Sequence, residues 1–169
     1  MDREKLILDY IEMTISHSRE VGDLLLLLFK NADKIPFLVD KYELLKRSVL
    51  HDTDKFNEEF INVVIELRFF KKEKTEQELK KLEEIFNKHR LSQNHHCQYH
   101  MKNSIPLSNE DICEMCCDWI SAVKKYDKTI KNDIELARKI YWEEVDAFPE
   151  LGTYKNKFFA IFDLIEKIR

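Results

Sequence analysis

A chain of 169 residues with only two glycines and three prolines has few places to turn sharply. Sheet proteins need many tight turns and usually more glycine than this, so the scarcity favours long helices joined by short connections. Apolar periodicity agrees. Leu6, Ile7, Tyr10, Ile11, Thr14, Ile15, Val21, Leu24, Leu25 and Leu28 recur at three- and four-residue spacing and predict one helix over residues 3–30, its second half apolar nearly all round, as in the middle of a bundle. His17 falls on its inward face, four residues before Val21.

The rest of the chain continues in kind. Pro36 suits the first turn of a second helix that passes through Leu38, Val39, Tyr42, Leu45 and Val49 and ends at His51-Asp52. Asn57 with Glu58 and Glu59 opens a third, running to about Phe70. Thr75-Glu-Gln-Glu78 is a capping box, and the following helix carries Leu79, Leu82, Ile85, Phe86 and His89 on one stripe. The pattern breaks over Leu91–Asn94, before His95 and His96. Ser108 and Asp111 start a helix with an apolar stripe of Ile112, Met115, Cys116, Trp119 and Val123, at whose margin stand Glu114 and Asp118, four residues apart. Acids in such a position are usually solvated or ion-paired. Helices over about 132–147 and 154–168 close the chain, and the lysine-rich stretches Lys71–Lys74 and Lys124–Lys131 read as solvated links. The expectation is a single all-α domain over 1–169, a bundle of six to seven helices, with a metal-site core over about 10–125 and C-terminal packing helices over about 132–168.

Composition excludes some functions. A formal charge of −4 offers no field for a polyanion, so binding of duplex nucleic acid is disfavoured. The apolar run Leu24–Phe29 is far shorter than the roughly 20 residues a membrane span needs. Three of the four cysteines, Cys113, Cys116 and Cys117, crowd one helix, which suits reduced thiols and a cytoplasmic location. A zinc site from Cys113 and Cys116 with Cys97 or His100 would need its Cys-x-x-Cys on a turn, so small buried thiols are the better reading.

The chemistry-bearing residues come in a definite order: His17, then His51-Asp52 with Lys55 three residues on, then His89, then His95-His96, then Asp118. This order resembles that of the HD-domain superfamily of metal-dependent phosphohydrolases, an all-helical fold. The lysine after the His-Asp pair and the tandem histidines are similar to the HD-GYP branch, although no Gly-Tyr-Pro follows His96 and a cyclic-dinucleotide substrate is not implied. From roughly residue 10 to 125 the chain also resembles a small, largely uncharacterised bacterial and phage family. The carriers of that likeness are His51 to Lys55, Gln93-Asn94-His95-His96 and Glu114 to Trp119.

The resemblance implies one or two divalent ions of Fe, Mn, Zn or Ni. His17, His51, Asp52 and Asp118 would hold the first, and His89, His95 and His96 a second with Asp52 bridging. Lys55 would neutralise the phosphoryl oxygens or protonate the leaving group, and Glu114 would orient a ligand histidine. His100 has no counterpart in this order. The implied function is hydrolysis of a small phosphorylated substrate, a nucleotide by default. The alternatives are a di-iron oxygenase on the same fold and a non-catalytic, metal-stabilised interaction protein; oligomeric state is left open.

Overall fold

The computed structural model describes residues 2–70, 73–126 and 132–169. Eight α-helices and no strand occur among them, which makes the chain all-α. They are α1 (Arg3–Lys30), α2 (Lys41–Leu50), α3 (Glu58–Val64), α4 (Glu76–Ser92), α5 (Cys97–Asn103), α6 (Asn109–Tyr126), α7 (Asp133–Ala147) and α8 (Lys155–Ile168). By backbone contacts the chain divides into two compact units, Met1–Ser16 with Asp52–Ser104, and His17–His51 with Ile105–Arg169.

The first unit is built on the start of α1, α3, α4 and α5. Leu6 and Tyr10 of α1 pack with Phe60, Val63, Val64, Ile65, Leu67 and Ile85. Asn57 caps α3 by accepting from the Glu59 amide, and the expected helix to Phe70 is realised in two parts, because the chain widens into a π-helix over Ile65–Phe70. The Thr75 capping box forms as its sequence predicts, with Glu78 reaching back to the Thr75 amide. Burial raises the Tyr10 hydroxyl to about 12, a rise reinforced by the charges of Asp52 and Asp54.

In the second unit the core gathers Val21, Leu25 and Leu28 of α1, Leu44 of α2, Ile112, Met115 and Ile120 of α6, Tyr141 of α7, and Phe158, Ile161 and Phe162 of α8. Trp119 stacks on Phe158 with ring centroids 5.3 Å apart. Ser108 and Asp111 cap α6 reciprocally: the Asp111 amide donates to the Ser108 hydroxyl, and the Ser108 amide to the Asp111 carboxylate. Burial pushes the Cys113, Cys116 and Cys117 thiols far up, so they stay protonated and behave as small core residues. No helix among the described residues is long and apolar enough to cross a membrane.

Several sequence expectations need correction. Pro36 does not open the second helix. Asp40 does, accepting from the Tyr42 and Glu43 amides, while bonds from the Asn109 side chain to the Leu38 carbonyl and from the Asp40 amide to Glu110 hold the preceding segment out of the helix. The apolar positions marking that helix, Leu38, Tyr42, Leu45 and Val49, face outward; Leu44 and Arg47 are its buried residues. A short helix, α5, forms just after the expected break, where no element was expected, and α4 runs through Leu91 and Ser92 before the chain breaks. Of the lysine-rich links, 71–72 and 127–131 lie outside the described residues, and α6 runs on through Lys124 and Lys125.

The approach of α1 to α2 demands a glycine. A Cβ on Gly22 would stand 2.5 Å from the Ser48 carbonyl oxygen, which is backbone and cannot swing aside. Overpacking of this kind costs about 1–3 kcal/mol, and an approach this close to a backbone oxygen belongs at the upper end, above the ~1 kcal/mol that alanine returns in helix propensity. Gly22→Ala is therefore expected to melt about 5 °C lower than wild type by circular dichroism; an unchanged or higher melting temperature would show that the two helices are not in close contact.

Candidate metal centre

Each unit gathers its own group of imidazole and carboxylate donors. In the second unit His17 of α1, His51 at the end of α2 and Asp118 of α6 place one ligand atom apiece within 4.8 Å of one another. His17 Nε2 lies 3.0 Å and His51 Nε2 3.6 Å from the same oxygen, Asp118 Oδ1. Behind the rings, Glu114 Oε1 accepts from His51 Nδ1 at 3.0 Å, and the Ser121 hydroxyl meets His17 Nδ1 at 2.9 Å. Burial pushes the Asp118 carboxyl up, but the two adjoining imidazoles outweigh it and hold the group well below the usual carboxylate range.

Glu114 is held in turn. Its Oε2 accepts from Arg47 Nη1 at 2.9 Å, and the same nitrogen donates to Asp111 Oδ1 at 2.8 Å, while Arg47 Nε donates to Glu43 at 3.2 Å. Burial would lower the pKa of Arg47; Glu114 and Asp111 beside it win and raise it. Helical spacing arranges all of this. Asp111, Glu114, Asp118 and Ser121 recur at three and four residues along α6, as Arg47 and His51 do on α2.

The first unit holds the other group. Asp52, His89, His95 and His96 also place ligand atoms within 4.8 Å of one another. His89 Nε2 and His95 Nε2 each stand 3.4 Å from Asp52 Oδ1, and His96 Nε2 faces His89 Nε2 at 2.9 Å. Lys55 Nζ donates to the other Asp52 oxygen at 2.5 Å, and Asp54 Oδ2 accepts from His89 Nδ1 at 2.8 Å. The chain leaves α2 at His51, with ψ 127°, and Asp52 follows with left-handed backbone angles, φ 58° and ψ 18°. Aspartate tolerates that region better than most residues. A cleft of about 140 Å³ lined by Asp54, Asn57, Phe60, His89 and Ser92 opens onto the His89–Asp54 edge.

Does a cation fit these donors? A carboxylate only accepts, so Asp54 requires the proton of His89 on Nδ1, and Glu114 requires that of His51 on Nδ1. In the neutral rings both Nε2 atoms then present lone pairs, His51 toward Asp118 and His89 toward Asp52 and His96. A lone pair facing another ligand atom is completed by a shared proton or by a cation: within the chain His96 Nε2 can donate to His89 Nε2 and His17 Nε2 to Asp118 Oδ1, and a metal ion can stand in the place of those protons. Two ligands about 2.1 Å from one ion are separated by roughly 3.0–3.4 Å, within about 0.2 Å of the 2.9, 3.0, 3.4 and 3.6 Å distances observed. Both groups could hold a metal ion.

Every residue expected at the site thus lies in or against one of these groups: His17, His51 and Asp118 in one, Asp52, His89, His95 and His96 in the other, with Lys55 on Asp52 and Glu114 on His51. His100 stands apart, its Nε2 bonded to the Asn94 carbonyl at 2.7 Å. Arg47, Asp54, Asp111 and Ser121 were not expected. For Asp111 and Ser121 the signal was present, since they extend the Glu114–Asp118 spacing by one step in each direction.

The chain matches, over residues 6–151, the family described as Family of unknown function (DUF5662). It belongs to that family. Comparison with curated proteins and with solved structures gave no match. Membership in DUF5662 covers the donors of both groups and names no activity.

The carboxylates behind the rings generate a prediction. Glu114→Gln keeps the shape of the side chain but weakens its hold on the His51 proton and on Arg47. Zinc affinity, measured by competition with a chelating dye, should fall about 10–100-fold; unchanged affinity would mean that His51 does not bind through Nε2.

Proposed function

We propose that the chain is a metal-dependent phosphohydrolase of the HD-domain type, acting on a nucleotide or another small phosphoester. The observation that carries this reading is Lys55, whose ammonium group sits on Asp52 at the edge of a four-residue donor set. A cation placed beside a metal centre suits an anionic substrate, and a phosphoryl group takes both charges. The order of the donors along the chain, His, His-Asp, His, His-His, Asp, supports the same choice.

On this reading His17, His51 and Asp118 hold one ion and Asp52, His89, His95 and His96 another, drawn from Fe, Mn, Zn or Ni, which imidazole and carboxylate donors suit. Bound there, such an ion supplies Lewis-acid polarisation of a phosphoryl oxygen and lowers the pKa of water enough to provide a nucleophile near neutral pH. The protein does the positioning. Glu114 and Asp54 keep the ring protons on Nδ1 and the lone pairs on Nε2. Lys55 pairs with phosphoryl oxygens, and its ammonium proton is available to the leaving oxygen. Asp52 serves twice, one oxygen among the histidines and the other anchoring Lys55.

Elemental analysis of the purified protein, combined with phosphate release from nucleotides, cyclic nucleotides and a chromogenic phosphodiester, tests the proposal. Asp52→Ala is expected to lose both metal and turnover. Lys55→Ala should keep its metal and lose about 100-fold or more in kcat. Full metal loading with no turnover of any phosphoester would overturn the reading, and a ferric absorption band with oxygen consumption would replace it by the oxygenase chemistry of the same fold.

A further inference from the structure

Arg47 is buried and carries a charge that no step of the proposed mechanism uses. Taking a guanidinium out of water is costly unless carboxylates meet it, and three do. Its Nη1 reaches Glu114 and Asp111, both on α6, and its Nε reaches Glu43, one turn back on α2. Glu114 stands between this charge and a candidate ligand. Its Oε2 takes Arg47 at 2.9 Å and its Oε1 takes His51 Nδ1 at 3.0 Å. Arg47 and His51 are four residues apart, so one carboxylate of α6 ties two successive turns of α2. Of the three donors in this group, His17 and Asp118 lie inside long helices, whereas His51 follows the last residue of α2 as its C-cap. A helix end frays, and a side chain there is the least constrained of the three. Arg47 holds it twice: the His51 amide donates to the Arg47 carbonyl at 3.1 Å, and the ring is held through Glu114.

We propose that Arg47 is the positioning residue of the His17, His51 and Asp118 group: by fixing the Glu114 carboxylate it fixes the rotation of the His51 ring, and with it the direction of Nε2 toward a bound ion. The role presupposes the ion of the proposed function and adds the residue that steadies one of its ligands. A ring free to turn loses that freedom when an ion binds, and a ring already fixed does not, so the fixed ring binds more tightly. Arginine suits the task because its planar fork engages acids on two helices at once in one orientation; a lysine ammonium is a single point on a flexible stem. A residue that only joined α2 to α6 would leave the zinc affinity of the folded protein unchanged when removed.

Zinc binding to the full chain, followed at each histidine ring by proton–nitrogen NMR while a chelator competes for the metal, tests this in wild type, Arg47→Met and Arg47→Lys, well below their melting temperatures. In Arg47→Met the His17 and His51 rings are expected to release zinc with about 10-fold weaker affinity, and the His51 Nδ1 proton to exchange faster with water. His89, whose Nδ1 proton is held by Asp54, is the internal control and should behave as in wild type. Arg47→Lys keeps the charge and carries the test where Arg47→Met does not fold; it too is expected to bind zinc at His51 more weakly than wild type. A folded variant that binds zinc at His17 and His51 as tightly as wild type overturns the proposal. So does a loss that extends equally to His89, since that is a general loosening of the protein. Zinc that leaves the His17 and His51 rings of the wild type unchanged overturns the metal centre itself, and the proposal with it. Turnover of phosphoesters enters none of these readings, so the role of Arg47 is decided separately from the reaction.

Discussion

Two carboxylates, each accepting the Nδ1 proton of a buried histidine, set the conditions for everything else in this molecule. Glu114 does so for His51 and Asp54 for His89. A histidine held from behind in this way has no freedom of tautomer, and its other nitrogen becomes a fixed lone pair. The protein aims each of these lone pairs at further ligand atoms, of Asp118 in one group and of Asp52 and His96 in the other. Each such contact is completed by a proton or by a cation, so a metal ion bound there would make binding and stability two aspects of one free energy.

The helices can be understood as supports for that arrangement. Glu114 is nearly inaccessible to water, and burying a carboxylate costs several kcal/mol unless it is paired. Arg47 supplies the pairing, and it in turn needs Asp111 and Glu43. These residues stand on only two helices, α2 and α6. Gly22 lets α1 approach α2 closely, and His17, five residues earlier on α1, stands with its ring against that of His51, centroids 5.4 Å apart. In the first unit the same task falls to a turn. Asp52 accepts a left-handed backbone, at a cost of order 1 kcal/mol, and the short connection that follows brings Lys55 back onto it.

Much of this could be read from the residues before any coordinates. Helical periodicity and the scarcity of glycine and proline gave the all-α class, and the capping residues Thr75 and Ser108 located two helix starts within a residue. The donors were legible because their order along the chain is unusual. Orientation was harder. A 3.6-residue period says that Leu38, Tyr42, Leu45 and Val49 share a face without saying that the face is buried, and on α2 it is Leu44 and Arg47 that turn inward. Proline 36 misled because a cap four residues later, reinforced by Asn109 and Glu110 about seventy residues away, decides where α2 starts. Arg47 shows the general limit: its partners lie 64 and 67 residues along the chain, and no local pattern announces them. Asp54, two residues beyond the His-Asp pair, is marked by no sequence pattern, and only its bond to His89 gives it a role.

The central claim is a statement about which nitrogen carries the proton. Long-range proton–nitrogen NMR of the zinc-loaded protein near neutral pH reads this directly for each histidine. The account predicts that His51 and His89 carry hydrogen on Nδ1 and show Nε2 shifted into the metal-bound range. A spectrum with hydrogen on Nε2 of either ring, or one in which zinc leaves both rings unchanged, would contradict it.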